Sequence, residues 1–450
     1  MKFTLFMLTF LLPPGTVLAG EFSVTLKAAE ESALSASNSY KAAKLSAAAA
    51  DVAAKAAGSG LSPRLALEGN LRYNAVVPQI SLPAALGGAR PLGDNWNYSV
   101  GPAAYWTLFD GGSARALYDG SRKLASVRSA ETANAGRQVL LAARIAYFQL
   151  QLALERVYLI GENLQLSLAQ LKDVSLGVKT GSRSRLDGIR AAQETISRRR
   201  DLLRARAELS GTLRDFGFAT GIPVPCGTEL PLDSRMAGRD YGGAGAADLF
   251  IKADPYEVML PGLLPAASGT VDPALPAAAA FGESAAAYGL STRAYRAERF
   301  PKLQLSARSG LDYPNGPNLY SFLQTSAGLS LNLPLFESGR SSDKEKESSL
   351  NSAAALEKRD EAALAAEKDF EKALDDYRAL VAEQNINIEA VDAASEAAKL
   401  AYEAYKAGGG TWLEVESANL KALQAKTTAA ETNAGILMKL ALLDSLGPTR

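Results

Sequence analysis

The side chains that most often carry chemistry are nearly missing from this chain. Its 450 residues include no histidine, which removes the usual general base, the usual zinc ligand and every Ser-His or Cys-His dyad. Cys226 is the single cysteine. It has no partner for an intrachain disulfide and no histidine to activate it, so it reads as a buried or idle thiol. No clustered metal ligands stand out, and no cofactor is expected. What remains is charge. Asp187 and Glu414 occupy matching settings, Leu186-Asp187 and Leu413-Glu414, about 227 residues apart. An acid at the start of a helix is stabilised by the helix dipole. Arg198-Arg199-Arg200, with Arg204 and Arg206, is a basic run that reads as a solvated helix face. The 48 basic residues equal the 48 acidic ones and the pI is about 6.6, which gives no support for nucleic acid as a partner. An envelope enzyme is thus the weakest of the function classes.

Those charges must be held by long helices. From Ser113 to about Val178 the pattern is helical and free of proline. Leu140, Ala143, Tyr147, Leu150, Leu154, Val157, Leu164, Leu168 and Leu171 step by four and three, with Gly161 filling the one gap. That is a heptad seam. At about 1.5 Å per residue the helix would be roughly 100 Å long, so it must lie along other helices.

The rest of the chain divides in order. Residues 1–19 read as a secretory signal: Lys2, then an apolar run, then Val17-Leu18-Ala19 before Gly20. No later run reaches the ~18 apolar residues of a membrane helix, so any membrane segment must be β. A helix is expected over 26–58, capped by Thr25 and stopped at Gly58-Ser59-Gly60. Strands with period two are expected over about 63–76 and 96–109, separated by a Pro- and Gly-rich loop. Their lengths are close to the 9–11 residues of a tilted transmembrane strand, and Trp96, Tyr98, Tyr105 and Trp106 suit an aromatic girdle. The long helix ends near Gly181, and another is expected from about Arg183 to Phe216. Residues 222–272 lose all periodicity and read as a linker with one short helix around Ala246 to Ala253. Then come a helix over about 273–298, strands over about 301–313 and 320–335, a second long helix over about 340–406, and a last helix from Thr411 to Leu446.

The two halves are one unit written twice. Leu108-Phe109-Asp110 matches Leu335-Phe336-Glu337, and Gly181 matches Gly408. Residues 20–221 form the first repeat and 273–450 the second, each helix, strand, strand, long helix, turn, helix. Four strands with one apolar face are too few to close a barrel, and an open edge cannot sit in lipid. Copies must therefore combine.

These features resemble an outer membrane efflux protein of the TolC type across nearly the whole mature length. The resemblance rests on the duplicated order, the strands opened by Pro63 and Pro301, the Leu108-Phe109-Asp110-Gly111-Gly112 exit, and the turns Thr180–Asp187 and Ala407–Val415. It implies a mainly α protein with a transmembrane β part: a homotrimer with a 12-stranded β-barrel in outer-membrane lipid and a periplasmic α-helical barrel. It implies an exit duct that receives substrate from a periplasmic adaptor and an inner-membrane pump, whose class stays open. Phe109, Asp110, Gly111, Phe336 and Gly339 would turn barrel into helix. Gly181, Leu186, Gly408, Trp412 and Leu413 would meet the adaptor. Asp187, Glu414, Tyr405 and Arg185 would form the constriction. Gly410 and Ser417 depart from the pattern, standing where known members carry an arginine and a second acid; Arg183 and Arg185 are the cations available from the other turn. The alternative is a structural coiled-coil protein of the envelope.

Overall fold

The computed structural model describes residues 21–81, 83, 88–224, 232–233 and 250–448. The expected signal at 1–19 and Cys226 lie outside the described residues. The chain divides into two compact units, one of Met1–Lys41, Ala135–Leu275 and Ala365–Arg450, the other of Ala42–Asn134 and Pro276–Leu364.

The second unit holds a four-stranded antiparallel sheet. Its strands are β2 (Arg64–Tyr73), β5 (Trp96–Phe109), β8 (Lys302–Tyr313) and β9 (Phe322–Asn332), paired in the order β2-β5-β8-β9. Because side chains alternate across a strand, register decides what each face carries. Leu65 pairs with Ala104, Leu71 with Tyr98, Trp106 with Leu305, and Leu305 with Leu329. Every one of these positions lies on a single face, so the apolar surface runs unbroken across all four strands. Leu65, Leu67, Leu323, Leu329 and Leu331 on it are exposed. The opposite face is polar: Tyr105 donates to Glu68 at 2.8 Å, and Arg308 pairs with Asp312 at 2.7 Å. Gly101 and Gly310 let β5 and β8 approach closely, since a Cβ on Gly101 would overlap the Gly310 backbone. Within the Pro- and Gly-rich loop after β2, β3 (Gln79–Ser81) pairs antiparallel with β4 (Ala89–Pro91). Helix α6 (Pro276–Ala297) lies in the same unit. Its buried Ala285 and Ala287 admit close packing, and Ser352 and Ser348 donate to the carbonyls of Ala285 and Tyr288.

The long helices are α3 (Ser113–Lys179, 67 residues) and α7 (Arg340–Ala407, 68 residues). In the first unit they meet α4 (Arg185–Thr220) and α8 (Trp412–Leu446). The seam expected on α3 is the core there: Tyr147, Leu150, Leu154, Val157 and Leu164 are buried with Leu209, Leu213, Phe216, Leu437 and Leu440. Arg144 pairs with both Glu30 and Asp444, tying α3 to the two ends of the chain.

Two expectations change. The helix over 26–58 is two helices, α1 (Leu26–Ala36) and α2 (Asn38–Gly58). Ser37 leaves helical geometry at ψ 117°, and its hydroxyl accepts the Tyr40 N–H. A serine that offers the backbone a local acceptor favours a cap over a helix interior. Thr25 caps α1 as expected, accepting from the Ala28 N–H at 3.2 Å. The second change is in 222–272. Phe250–Ala253, read as helix, is strand β7; it pairs in parallel with β1 (Glu21–Val24) and with the two-residue β6 (Leu232–Asp233). Pro255 disfavours helical geometry at Asp254, so α5 starts only at Tyr256 and runs to Leu263. Tyr147 locks this small sheet to α3: its hydroxyl donates to the Val24 carbonyl and accepts the Asp254 N–H at 2.7 Å.

Candidate functional site

The site is built where two helix pairs turn, α3 into α4 and α7 into α8. Each turn begins with a glycine in the left-handed region, Gly181 at φ 75° and Gly408 at φ 86°. A Cβ there would meet no neighbour, so the glycines answer to backbone conformation alone. Each turn ends on an N-cap. Ser184 accepts the Asp187 N–H at 3.0 Å. Thr411 and Glu414 close a capping box, with the Thr411 N–H held by the Glu414 carboxylate at 2.8 Å. Asp187 and Glu414 thus occupy the same helical position in both repeats, and both complement a helix amino end.

The two turns are fastened together. Arg183 reaches from the first turn to the end of α7, donating to the Lys406 carbonyl at 2.7 Å, and its guanidinium lies 4.4 Å from the Tyr405 ring centre. A cation at a helix carboxyl end meets the negative pole of the dipole and satisfies a carbonyl with no partner in the helix. Gly177 makes room, because any side chain there would strike the Arg183 stem. Below it sits a small core of Val174, Ala191, Tyr405, Trp412 and Val415. Tyr405 and Trp412 pack edge to face at 5.3 Å. Burial, together with the Asp187 carboxylate, pushes the Tyr405 hydroxyl above its ordinary pKa. One turn further up, the Tyr402 hydroxyl donates to Asp173 at 2.7 Å; burial and that carboxylate raise its pKa as well.

Among the residues expected here, Leu186 and Leu413 are 53% and 57% exposed and stand at the outer surface of the turns. Arg185 is also exposed. Trp412 and Tyr405 are only 1% and 3% exposed, so they lie beneath the turns and not on them. Arg183 proves central, while Gly177, Asp173 and Tyr402 were not singled out. A glycine two residues from a helix end was the one local sign of them.

Farther along α4, Glu194 is 4% exposed. Burial raises its pKa; Arg198 opposes the shift, Glu416 adds to it, and Asn419 opposes it. The folded pKa lies above the unfolded one, so folding binds a proton there. Stability is undiminished below the unfolded value near 4.5 and falls as pH rises through the folded value. Glu194→Gln is therefore expected to stabilise the fold at pH 7.5 by on the order of 1 kcal/mol, with the gain shrinking toward pH 4. Thermal melts across that range read it directly.

At the other end of α3, Asp110 accepts the N–H groups of Gly112 and Ala114 at 2.9 and 2.7 Å, forming its cap. Gly111, at φ 69°, sits against Phe300 and the Ala297 carbonyl, where a side chain would clash. Before α7, Glu337 accepts instead from the side chains of Ser341 and Arg340; these bonds hold its carboxyl below the usual range. Gly339 turns at φ 85°. Phe109 and Phe336 are 50% and 86% exposed.

The sequence model of the family described as outer membrane efflux protein matches residues 29–221 and 271–446. The chain belongs to this family. The match leaves out residues 222–270. No sequence among curated proteins matches. Solved structures show the same fold. The chain is similar to the channel-forming protein CusC, with a TM-score of 0.74 at 16% identity over 94% of this chain and 92% of that one. It is similar to the outer membrane protein VceC of Vibrio cholerae, with a TM-score of 0.72 at 19% identity over 94% and 97%. It is similar to the open MtrE outer membrane channel of Neisseria gonorrhoeae, with a TM-score of 0.69 at 19% identity over 93% and 87%. As an outer membrane efflux protein, the chain belongs to the outer membrane and has a long periplasmic helical part.

Proposed function

We propose that the chain is the exit duct of a tripartite efflux or type I secretion system. Three copies close their sheets into one 12-stranded barrel, and their helices line a periplasmic tunnel. The carrying observation is the sheet: one face is apolar across four strands, while among the described residues the outer strands β2 and β9 each pair on one side only. Unpaired strand edges cannot stay in lipid, and pairing β9 of one copy with β2 of the next removes every edge. The polar faces then surround water.

The turns at Gly181 and Gly408 form the periplasmic end, where Leu186 and Leu413 offer apolar contact to an adaptor. Asp187 and Glu414, three of each in the assembly, ring the narrow point. Tyr405 and Trp412 support it from beneath, and Arg183 supplies the cation that Gly410 lacks. The duct itself performs no chemistry, and energy comes from the pump. Gentle extraction of the membrane fraction followed by native mass measurement is expected to give a trimer; a monomer in the soluble fraction would contradict the proposal.

A further inference from the structure

The charges on the sheet are sorted by face. Strands β2, β5, β8 and β9 carry six charged residues between them: Arg64, Glu68, Arg72, Lys302, Arg308 and Asp312. Register puts all six on the polar face. Arg64 pairs with Tyr105, Glu68 with Gly101 and Arg72 with Asn97. Arg308 pairs with Ala103, Asp312 with Ser99, and Lys302 with Asn332. None shares the face of Leu65, Leu305 and Leu329, so anchoring at a lipid surface does not explain them.

Their signs are uneven. Bases outnumber acids by four to two on these strands, although the whole chain holds 48 of each. Both acids are already engaged. Glu68 accepts from the Tyr105 hydroxyl at 2.8 Å, and Asp312 pairs with Arg308 at 2.7 Å. Arg64, Arg72 and Lys302 are exposed and form no ion pair among the described residues.

Two of these three cations stand together. Arg64 opens β2 and Lys302 opens β8. Both strands run antiparallel to β5, so their first residues lie at one end of the sheet. It is the end at which β5 and β9 lead into α3 and α7. The acids at those exits are occupied as well: Asp110 caps α3, and Glu337 pairs with Arg340 at 2.7 Å. Arg72 lies near the opposite end of β2.

A ring of Arg or Lys side chains in a pore favours anions, and walls of low dielectric focus its field. We propose that Arg64 and Lys302 form such a ring and make the duct select for anions, so that its cargo class is solutes bearing carboxylate, sulfonate or phosphate groups. The inference rests on the duct reading above, in which three sheets close around water, and it names the cargo of that duct. The ring then stands at the inner mouth of the barrel, where the helical tunnel hands cargo to it.

The test is the ratio of chloride to potassium permeability. It is read from the reversal potential of the purified full-length protein in a neutral planar bilayer under a potassium chloride gradient. The two ions have nearly equal mobility in water, so the ratio reports the channel. Near about 0.01 M salt, where the Debye length is about 30 Å, the parent is expected to favour chloride by at least about threefold. At about 1 M salt that length is about 3 Å, and the preference is expected to vanish. Neither parent measurement depends on the folding of a variant. Arg64→Gln combined with Lys302→Gln is expected to lower the low-salt ratio by at least about twofold. The turns, with Asp187 and Glu414, are the same in both proteins, so the difference belongs to the barrel mouth. A parent that passes potassium as readily as chloride, a preference that survives high salt, or a variant with the parent's ratio would overturn the proposal, while steps of conductance in the same records leave the duct standing. A membrane-bound parent that gives no steps would overturn both.

Discussion

Leu329→Arg is expected to abolish accumulation of the protein in the outer membrane, while Ser330→Arg, one residue away, leaves it at the level of the parent. Leu329 pairs with Leu305 on the apolar face, and Ser330 pairs with Gln304 on the polar one. Lipid cannot solvate a guanidinium, and an arginine near the bilayer midplane of a β-barrel costs about 2–4 kcal/mol. In a trimer the cost is incurred three times. On the polar face the same side chain stays in water. Fractionation and blotting of the two variants measure the contrast. Equal accumulation of both would mean that the apolar face does not meet lipid.

The second large effect is at the turns. Trp412→Ala is expected to cost about 3–5 kcal/mol locally, the usual range for deleting a buried aromatic side chain. It removes the edge-to-face partner of Tyr405 and opens the small core around Val174, Ala191 and Val415. That core is separate from the main one, so the loss should stay near the turns. Trypsin cleavage at Lys179, Arg183, Arg185 and Lys406 should then rise by about two orders of magnitude or more, since each 1.4 kcal/mol is tenfold in the open population. Leu413→Ala, at an exposed neighbouring position, should leave cleavage within about threefold, in keeping with the ±0.5 kcal/mol of ordinary surface changes. Unchanged cleavage in Trp412→Ala would show that the aromatic pair does not hold the turns.

Much of the fold was legible because its signals are local. The α3 seam, the alternation in β2 and β9, and the glycines at 181 and 408 each report backbone geometry within a few residues. The duplication then supplied partners for elements that made no sense alone. What escaped were pairings between distant residues. The parallel strands β1 and β7 join residues near 21 to residues near 251, and four-residue strands have no periodicity to read. The site shows the same division. Caps at Ser184 and Thr411 follow from residue type. Arg185 and Trp412 occupy one position in the two repeats, yet one is exposed and the other buried. Alignment of the repeats could not separate them, because burial depends on which helix lies alongside. The bond from Arg183 to Lys406 joins turns 223 residues apart in sequence and becomes visible only when both are placed.

The most direct test of the duct is electrical. Purified protein added to one side of a planar lipid bilayer should produce discrete, equal steps of conductance, each marking the insertion of one water-filled channel. Protein that is shown to be membrane-bound yet leaves the bilayer silent would contradict it, and would favour a structural protein of the envelope instead.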